Sequence, residues 1–218
     1  MNGAAIFAYH NFVERPDTPA PASQAYVLSQ AQFDAHLAAL AEPGLRPSRL
    51  ADVLATPSPG QFVLSFDDGY MTDYTVAFAR LAERGWPGCF FIVASQVGAS
   101  RALGWRELRE MAAAGMEIGS HSLTHPFVNT LDRAGIEREF GESKRILESR
   151  LGLPVRTASL PRGWEPPDLR PVLQDLGYRV FCNSRVAWWY PGADALAMPR
   201  VAIRRGLVPE EFASIVNG

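Results

Sequence analysis

The feature that most constrains the fold is a regular alternation of short apolar runs and helical patterns along the whole chain. Apolar runs predict strands at 4–9, 62–66, 88–93, 116–119, 157–160, 179–182 and 201–203. Amphipathic patterns predict helices between them, at 29–41, 73–84, 105–114, 132–151, 168–176 and 209–216. Such repetition predicts an α/β fold with a mainly parallel sheet. The 218 residues contain no internal repeat or long linker, and we expect one domain over residues 1–218, with a surface loop at Pro16–Pro21.

Charge and cysteine content exclude several classes of function. Lys and Arg number 21 against 23 Asp and Glu, and the resulting charge of −2 gives no basic footprint for nucleic acid. Cys89 and Cys182 lie far apart in apolar runs, which predicts buried thiols rather than a disulfide framework. No apolar stretch approaches the ~20 residues of a membrane span. The N-terminus has no secretory signal, so the sequence as written predicts a cytoplasmic protein, although a trimmed exported chain would look the same.

Two adjacent carboxylates, Asp67 and Asp68, follow the predicted strand at 62–66 and precede Gly69. The C-terminal end of a strand is where α/β folds place catalytic groups. At such a junction one carboxylate can bind a metal ion while the other reaches a water molecule beside it. An Asp-Asp-Gly sequence is also typical of a plain turn, which is the commoner explanation for the motif alone.

Two of the four histidines, His121 and His125, fall within one pentapeptide after the predicted strand at 116–119. On a single helical turn, residues four positions apart share a face and can bind one metal ion. Two histidines and one carboxylate with open positions form a well-defined hydrolytic or redox metal site. Of the other two histidines, His10 ends the first strand and His36 is expected at the surface of a helix.

Together these residues resemble the NodB-homology polysaccharide deacetylases, carbohydrate esterase family four. The resemblance covers about residues 4–205 and is carried by Tyr9-His10-Asn11-Phe12, Leu64-Ser65-Phe66-Asp67-Asp68-Gly69-Tyr70, Cys89-Phe90-Phe91-Ile92, Leu103-Gly104-Trp105, the segment 116–126 and Leu160-Pro161-Arg162-Gly163. It implies a distorted (β/α) barrel with fewer than eight complete units, in agreement with the alternation. It also implies removal of N-acetyl groups from the amino sugars of an oligo- or polysaccharide.

The resemblance also implies roles for particular residues. Asp67 matches the family's general base, and Asp68, His121 and His125 match its metal ligands. The expected ion is zinc, with other divalent ions accepted, and it would activate a water molecule and polarise the acetyl carbonyl. The backbone N–H at Arg162 matches the group that holds the oxyanion. Its neighbour Pro161 is expected to line the substrate site.

The chain departs from the family's pattern at two places. Ser159 and Arg162 stand where the third motif commonly has an arginine and an aromatic residue. The C-terminal Leu-x-His that supplies the general acid is absent, because no histidine follows His125 and residues 197–201 are Ala-Met-Pro-Arg-Val. A missing acid would lower the rate by roughly 10²–10⁴. His10 is the candidate replacement.

Three alternatives remain open from the sequence. His10 is as well explained by a structural role beside the site, and Asp67 could itself return the water proton to the leaving amine. Trp164 and Trp188 are expected either to stack on sugar rings or to pack in the core. A catalytically weak carbohydrate-binding relative and a hydrolase of another small non-peptide amide are the competing functions, although the intact metal set argues against the former. The sugar and the oligomeric state are not specified.

Overall fold

A computed structural model describes residues 3–15, 19 and 24–217, so all of the predicted loop Pro16–Pro21 except Pro19 lies outside the described residues. The strands are β1 Ala5–Tyr9, β2 Asn11–Phe12, β3 Val27–Leu28, β4 Arg46–Pro47, β5 Gln61–Asp68, β6 Cys89–Ile92, β7 Glu117–Ser120, β8 Thr157–Ser159, β9 Val180–Cys182 and β10 Val201–Ala202. The α-helices are α1 Gln30–Leu40, α2 Leu50–Ala55, α3 Ala79–Arg84, α4 Trp105–Ala113, α5 Arg133–Leu151, α6 Leu169–Asp175 and α7 Pro209–Asn217.

The main sheet is parallel and follows the order β10-β1-β5-β6-β7-β8-β9, with β4 also paired to β5. The segment just before β10 closes the curled sheet. Met198 bridges to Cys182 of β9, and three residues later Val201 pairs with Phe7 of β1. Seven strands with this short closing segment form a distorted barrel of fewer than eight units, which confirms the predicted fold class.

Strand alternation separates the core into two layers, because successive side chains of a strand point to opposite faces of the sheet. Phe7, Leu64 and Phe90 belong to the large apolar cluster that the helices cover. Residues of the other parity, such as Ile6 and Val63, form a second cluster inside the barrel. The N-terminal end of the barrel is closed by apolar side chains of α2 and by Trp189. The interior is therefore plugged at one end, which leaves the C-terminal strand ends for a site.

Helix boundaries follow local capping signals. Ser29 caps α1 in a capping box with Gln32, and Asp132 caps α5 by accepting the Gly135 N–H. The predicted helix at 73–84 begins as a π-helical turn, Asp73–Phe78, and continues as α3. The sequence did not predict β2, β3, β4 or α2, because elements this short carry too few residues to show a period.

The predicted surface position of His36 is wrong. His36 is 1% exposed, stacks on Phe212 and lies 3.2 Å from the Tyr9 hydroxyl through Nδ1. Burial lowers the pKa of this imidazole from its ordinary value to about 4, so a neutral ring shares the hydrogen bond with the Tyr9 hydroxyl. The predicted burial of Cys89 and Cys182 as free thiols is confirmed. None of the helices in the described part of the chain is long and apolar enough to cross a membrane.

Candidate active site

The turn that ends β5 brings two adjacent carboxylates to one place. Asp67 keeps the inward orientation of its strand, whereas Asp68 adopts a left-handed backbone conformation with a φ of 80°. Aspartate tolerates this conformation better than most residues, although it still costs on the order of 1 kcal/mol. The reversal at Asp68 returns its side chain toward the barrel axis. Neighbouring carboxylates of an extended strand would instead point to opposite faces.

The segment from His121 to His125 is a loop, so the prediction that both histidines lie on one helical turn is wrong. Ser122 and His125 both have positive φ, at 65° and 63°. Glu139 of α5 fixes the loop through its carboxylate, which accepts hydrogen bonds from the Leu123 and Thr124 N–H groups and from the Thr124 hydroxyl, at 3.0, 2.8 and 2.7 Å. The buried Glu139 carboxylate, rather than the geometry of a helical turn, therefore positions the two histidines.

Asp68, His121 and His125 form a donor set that fits a divalent metal ion. One ligand atom from each lies within 4.8 Å of the others. Asp68 Oδ1 is 3.5 Å from His121 Nε2 and 3.2 Å from His125 Nε2. Burial opposes ionisation of Asp68, but its contacts with the two imidazoles hold the pKa of its carboxyl below the ordinary value. Two imidazole nitrogens and one carboxylate oxygen are the ligands of an open catalytic zinc site.

Ser159 orients the more deeply buried histidine of the set. Its hydroxyl lies 2.5 Å from His121 Nδ1, on the side of the ring opposite the nitrogen that faces Asp68. With Nδ1–H donating to the Ser159 oxygen, Nε2 carries the lone pair that a metal ion requires. Ser159 stands where the sequence departs from the family's arginine, and it supplies a different contact.

Arg200 is the site residue whose role the sequence left unassigned. It comes from the segment that closes the barrel, and both it and Asp67 are at most 4% exposed. Nη1 donates to Asp67 Oδ1 and Nη2 donates to Asp67 Oδ2, both at 2.8 Å. Burial alone would raise the pKa of Asp67, but the Arg200 guanidinium and His121 hold it below the ordinary value. The signal in the sequence was an arginine directly before the predicted strand at 201–203, at the place where the family's C-terminal motif is missing.

His10 lies on the rim beside the carboxylates. It lines the same cavity as Asp67 and Asp68, and its ring contacts that of Tyr26 with centroids 4.6 Å apart and planes tilted by 36°. Its buried Nδ1 has no hydrogen-bond partner among the described residues. Burial lowers the pKa of His10, the two carboxylates raise it, and the balance is a pKa below the ordinary value. The described contacts of the ring are therefore its packing on Tyr26 and its charge interactions with the two carboxylates.

The cavity over these residues measures about 560 Å³ and includes Pro161 and Arg162 in its wall. The Arg162 carbonyl accepts the Val128 N–H at 3.2 Å, which fixes the backbone at this edge. Trp164 is 74% exposed and lines an adjoining cavity. Trp188 packs instead against the large apolar cluster, and it lines a small cavity with Phe7 and Phe62 near the starts of β1 and β5, at the opposite end of the barrel. The prediction that Trp188 shapes a sugar-binding groove is therefore wrong.

Comparison with known proteins agrees with this architecture. The family model described as polysaccharide deacetylase matches residues 55–181, more than half of the chain. The chitooligosaccharide deacetylase of Sinorhizobium fredii is 28% identical over 69% of this chain and 74% of its own length. The structure of IcaB from Ammonifex degensii superposes with a TM-score of 0.81 at 26% identity, covering 100% of this chain and 97% of that one.

A second solved structure, the deacetylase PplD of Streptococcus pyogenes in complex with acetate, has a TM-score of 0.87 at 20% identity and covers 97% of both chains. This likeness establishes the shared fold. The matched family region contains Asp67, Asp68, His121 and His125, whereas His10 and Arg200 lie outside it. The chain belongs to the polysaccharide deacetylase family.

Proposed function

We propose that this carbohydrate N-deacetylase removes N-acetyl groups from amino sugars of an oligo- or polysaccharide, using a divalent metal ion held by Asp68, His121 and His125. The observation that carries the proposal is the juxtaposition of this donor set with a separate, ionised carboxylate. Asp67 Oδ2 lies 3.8 Å from His121 Nε2, so one carboxylate oxygen faces the donor set while both oxygens accept from Arg200.

Asp68, His121 and His125 would hold the metal ion, for which zinc is our proposal, and the bound ion would supply Lewis acidity toward the acetyl carbonyl and a water molecule. Asp67 accepts the proton of that water as its oxygen attacks the acetyl carbon. Arg200 keeps Asp67 ionised and fixes its orientation, so that it is ready to act as a base. The backbone N–H of Arg162, a residue that lines the same cavity, would donate to the developing oxyanion.

Cleavage of the C–N bond requires a proton on the amine nitrogen. His10 is the candidate donor, because it lines the cavity and its Nδ1 has no competing partner among the described residues. Its lowered pKa leaves the imidazolium form a minority near neutral pH, and that form is the stronger acid. The proton that Asp67 has accepted then restores His10, and the products are acetate and a free amino sugar.

Acetate release from N-acetylglucosamine oligomers tests the proposal. The wild-type protein should release acetate when loaded with zinc, lose this activity after chelation and regain it when zinc is returned. His121→Ala should bind no stoichiometric zinc and release no acetate, whereas Arg145→Gln, a change on the exposed face of α5, should behave as wild type. Bound zinc without acetate release from any acetylated sugar would contradict the proposal.

A further inference from the structure

A continuous groove crosses the candidate active site. The cavity over the carboxylates shares Asn11 and Tyr70 with a second cavity of about 760 Å³ on one side. On the other side it shares Leu160 and Asn183 with a third, of about 420 Å³, which Trp164 lines. Cavities that share walls in this way offer room for several sugar units, with the reacting unit in the middle.

The charge of this groove is opposite to that of the whole chain. The described residues that line the three cavities include seven arginines and four carboxylates, a formal charge of +3, whereas the complete chain carries −2. A concave surface with one sign of charge focuses its field and concentrates ligands of the opposite sign.

Three of the seven arginines are neutralised by carboxylates of the groove itself. Arg200 pairs with Asp67, Arg101 with Glu14, and Arg170 with Glu165. The other four have no carboxylate partner among the described residues, and they lie along the length of the groove: Arg15, Arg162, Arg185 and Arg204.

Two of these four guanidinium groups are held against aromatic rings. The Arg204 guanidinium lies 5.5 Å from the ring centroid of Tyr26, whose ring also contacts that of His10. Arg162 lies 5.5 Å from the centroid of Phe127. Stacking on a ring face leaves the N–H edge of a guanidinium free, and that edge matches the oxygens of a carboxylate or a phosphate.

We infer that the glycan substrate carries anionic groups, carboxylate or phosphate, on the sugars that flank the N-acetylated unit, and that Arg15, Arg162, Arg185 and Arg204 bind them. This inference rests on the proposed function for the reaction itself. It deepens that function by specifying the substrate class, an anionic polymer rather than a neutral one.

Binding of sugars that lack N-acetyl groups tests the inference without turnover. Titration calorimetry on the zinc-loaded protein would compare oligogalacturonate, its neutral methyl ester and a phosphorylated glucose oligomer of equal length. The acid or the phosphorylated oligomer should bind about ten-fold more tightly than a neutral oligomer, and salt should weaken this preference. Whichever anion binds more tightly identifies the charged group. Equal affinity for acid and ester would overturn the inference.

A double variant excludes the metal ion as the source of the preference. Arg15→Gln with Arg185→Gln removes two charges at opposite ends of the groove. Arg15 lines the second cavity and Arg185 lines the third. The preference for the anionic oligomer should fall by about two-fold per charge removed. Arg145→Gln, which removes a charge from a residue that lines none of the three cavities, should retain the full preference. A preference that the double variant leaves unchanged would also overturn the inference.

The acetate assay keeps the two proposals separate. Acetate release from a neutral oligomer together with equal affinity for acid and ester would support the deacetylase and overturn the anionic specificity. A strong anion preference without acetate release from any acetylated glycan would support the groove assignment and contradict the proposed reaction.

Discussion

Arg200 holds Asp67 through two parallel hydrogen bonds, each 2.8 Å long, although the residues lie 133 positions apart in the chain. The arginine also donates from Nε to the Asn183 carbonyl at 3.2 Å, which fixes the guanidinium plane. This pair joins the segment that closes the barrel to the strand that carries the candidate base. The same ion pair therefore contributes both to closure of the barrel and to the orientation and ionisation of Asp67.

Arg200→Gln should both destabilise the fold and impair the base. Removing one partner of a buried ion pair costs about 3–5 kcal/mol, because the remaining charge is left without compensation. Urea unfolding would measure this loss. In addition, the pKa of Asp67 should rise, so the acidic limb of the pH profile of kcat/KM should move to higher pH.

The double variant Asp67→Asn with Arg200→Gln provides the stability control. It leaves no uncompensated charge, so its unfolding free energy should exceed that of Arg200→Gln alone. A single variant with wild-type stability and an unmoved acidic limb would show that the pair contributes to neither property.

Ser159→Ala should weaken metal binding without preventing folding. The change removes the acceptor that fixes the tautomer of His121, and outer contacts of this kind contribute about ten-fold in metal affinity. Competition with a zinc chelator would measure the effect. Thr157→Val, a nearly isosteric change two residues earlier on the same strand, should bind zinc as the wild type does. Equal zinc affinity in all three proteins would contradict the orienting role.

His10→Ala should slow amide hydrolysis by roughly 10²–10⁴ if His10 protonates the leaving amine. Hydrolysis of 4-nitrophenyl acetate should be much less affected, because its leaving phenolate needs no proton. Comparing kcat for the two substrates separates an acid from a structural residue, whose loss would slow both reactions alike. Full amide hydrolysis by His10→Ala would assign the acid role elsewhere, with Asp67 as the remaining candidate.

His36 should make the fold less stable as the pH falls. Its pKa is about 4 in the folded protein against an ordinary value of about 6.5, so the unfolded chain binds more protons between these values. The associated stability is present above about pH 6.5 and is lost as the pH falls toward about 4, by up to roughly 3 kcal/mol. Urea unfolding across this range would measure the loss.

The variant Tyr9→Phe with His36→Phe removes both partners of the buried hydrogen bond and the titrating group. Its unfolding free energy should depend less steeply on pH over the same interval. An identical slope in both proteins would assign the acid sensitivity to other groups.

The periods of the longer strands and helices predicted an α/β fold with a mainly parallel sheet, and the family resemblance added the barrel. The helices end where local signals place them. Gly85 and Gly152, for example, end α3 and α5 in the left-handed conformation that glycine favours. We expected His36 at the surface because its side chain is polar, although its spacing from apolar residues of the helix indicates the buried face. It lies three residues after Phe33 and four before Leu40, on the buried face of α1.

The site was only partly predictable, since its geometry depends on tertiary contacts. The Asp67–Arg200 pair joins distant parts of the chain, and local patterns carry no information about such pairing. The histidine loop depends on Glu139, which lies on another helix. Trp188 stands next to strand starts rather than strand ends, and this placement follows from the antiparallel bridge between Ala4 and Trp189.

The most direct test of the account is a paired measurement of bound zinc and acetate release in Asp67→Asn. This change removes the base while leaving Asp68, His121 and His125 intact. The account predicts wild-type zinc content and a loss of acetate release from N-acetylglucosamine oligomers of at least about 10². Wild-type acetate release by zinc-loaded Asp67→Asn would contradict the assignment of Asp67 as the base and, with it, the proposed mechanism.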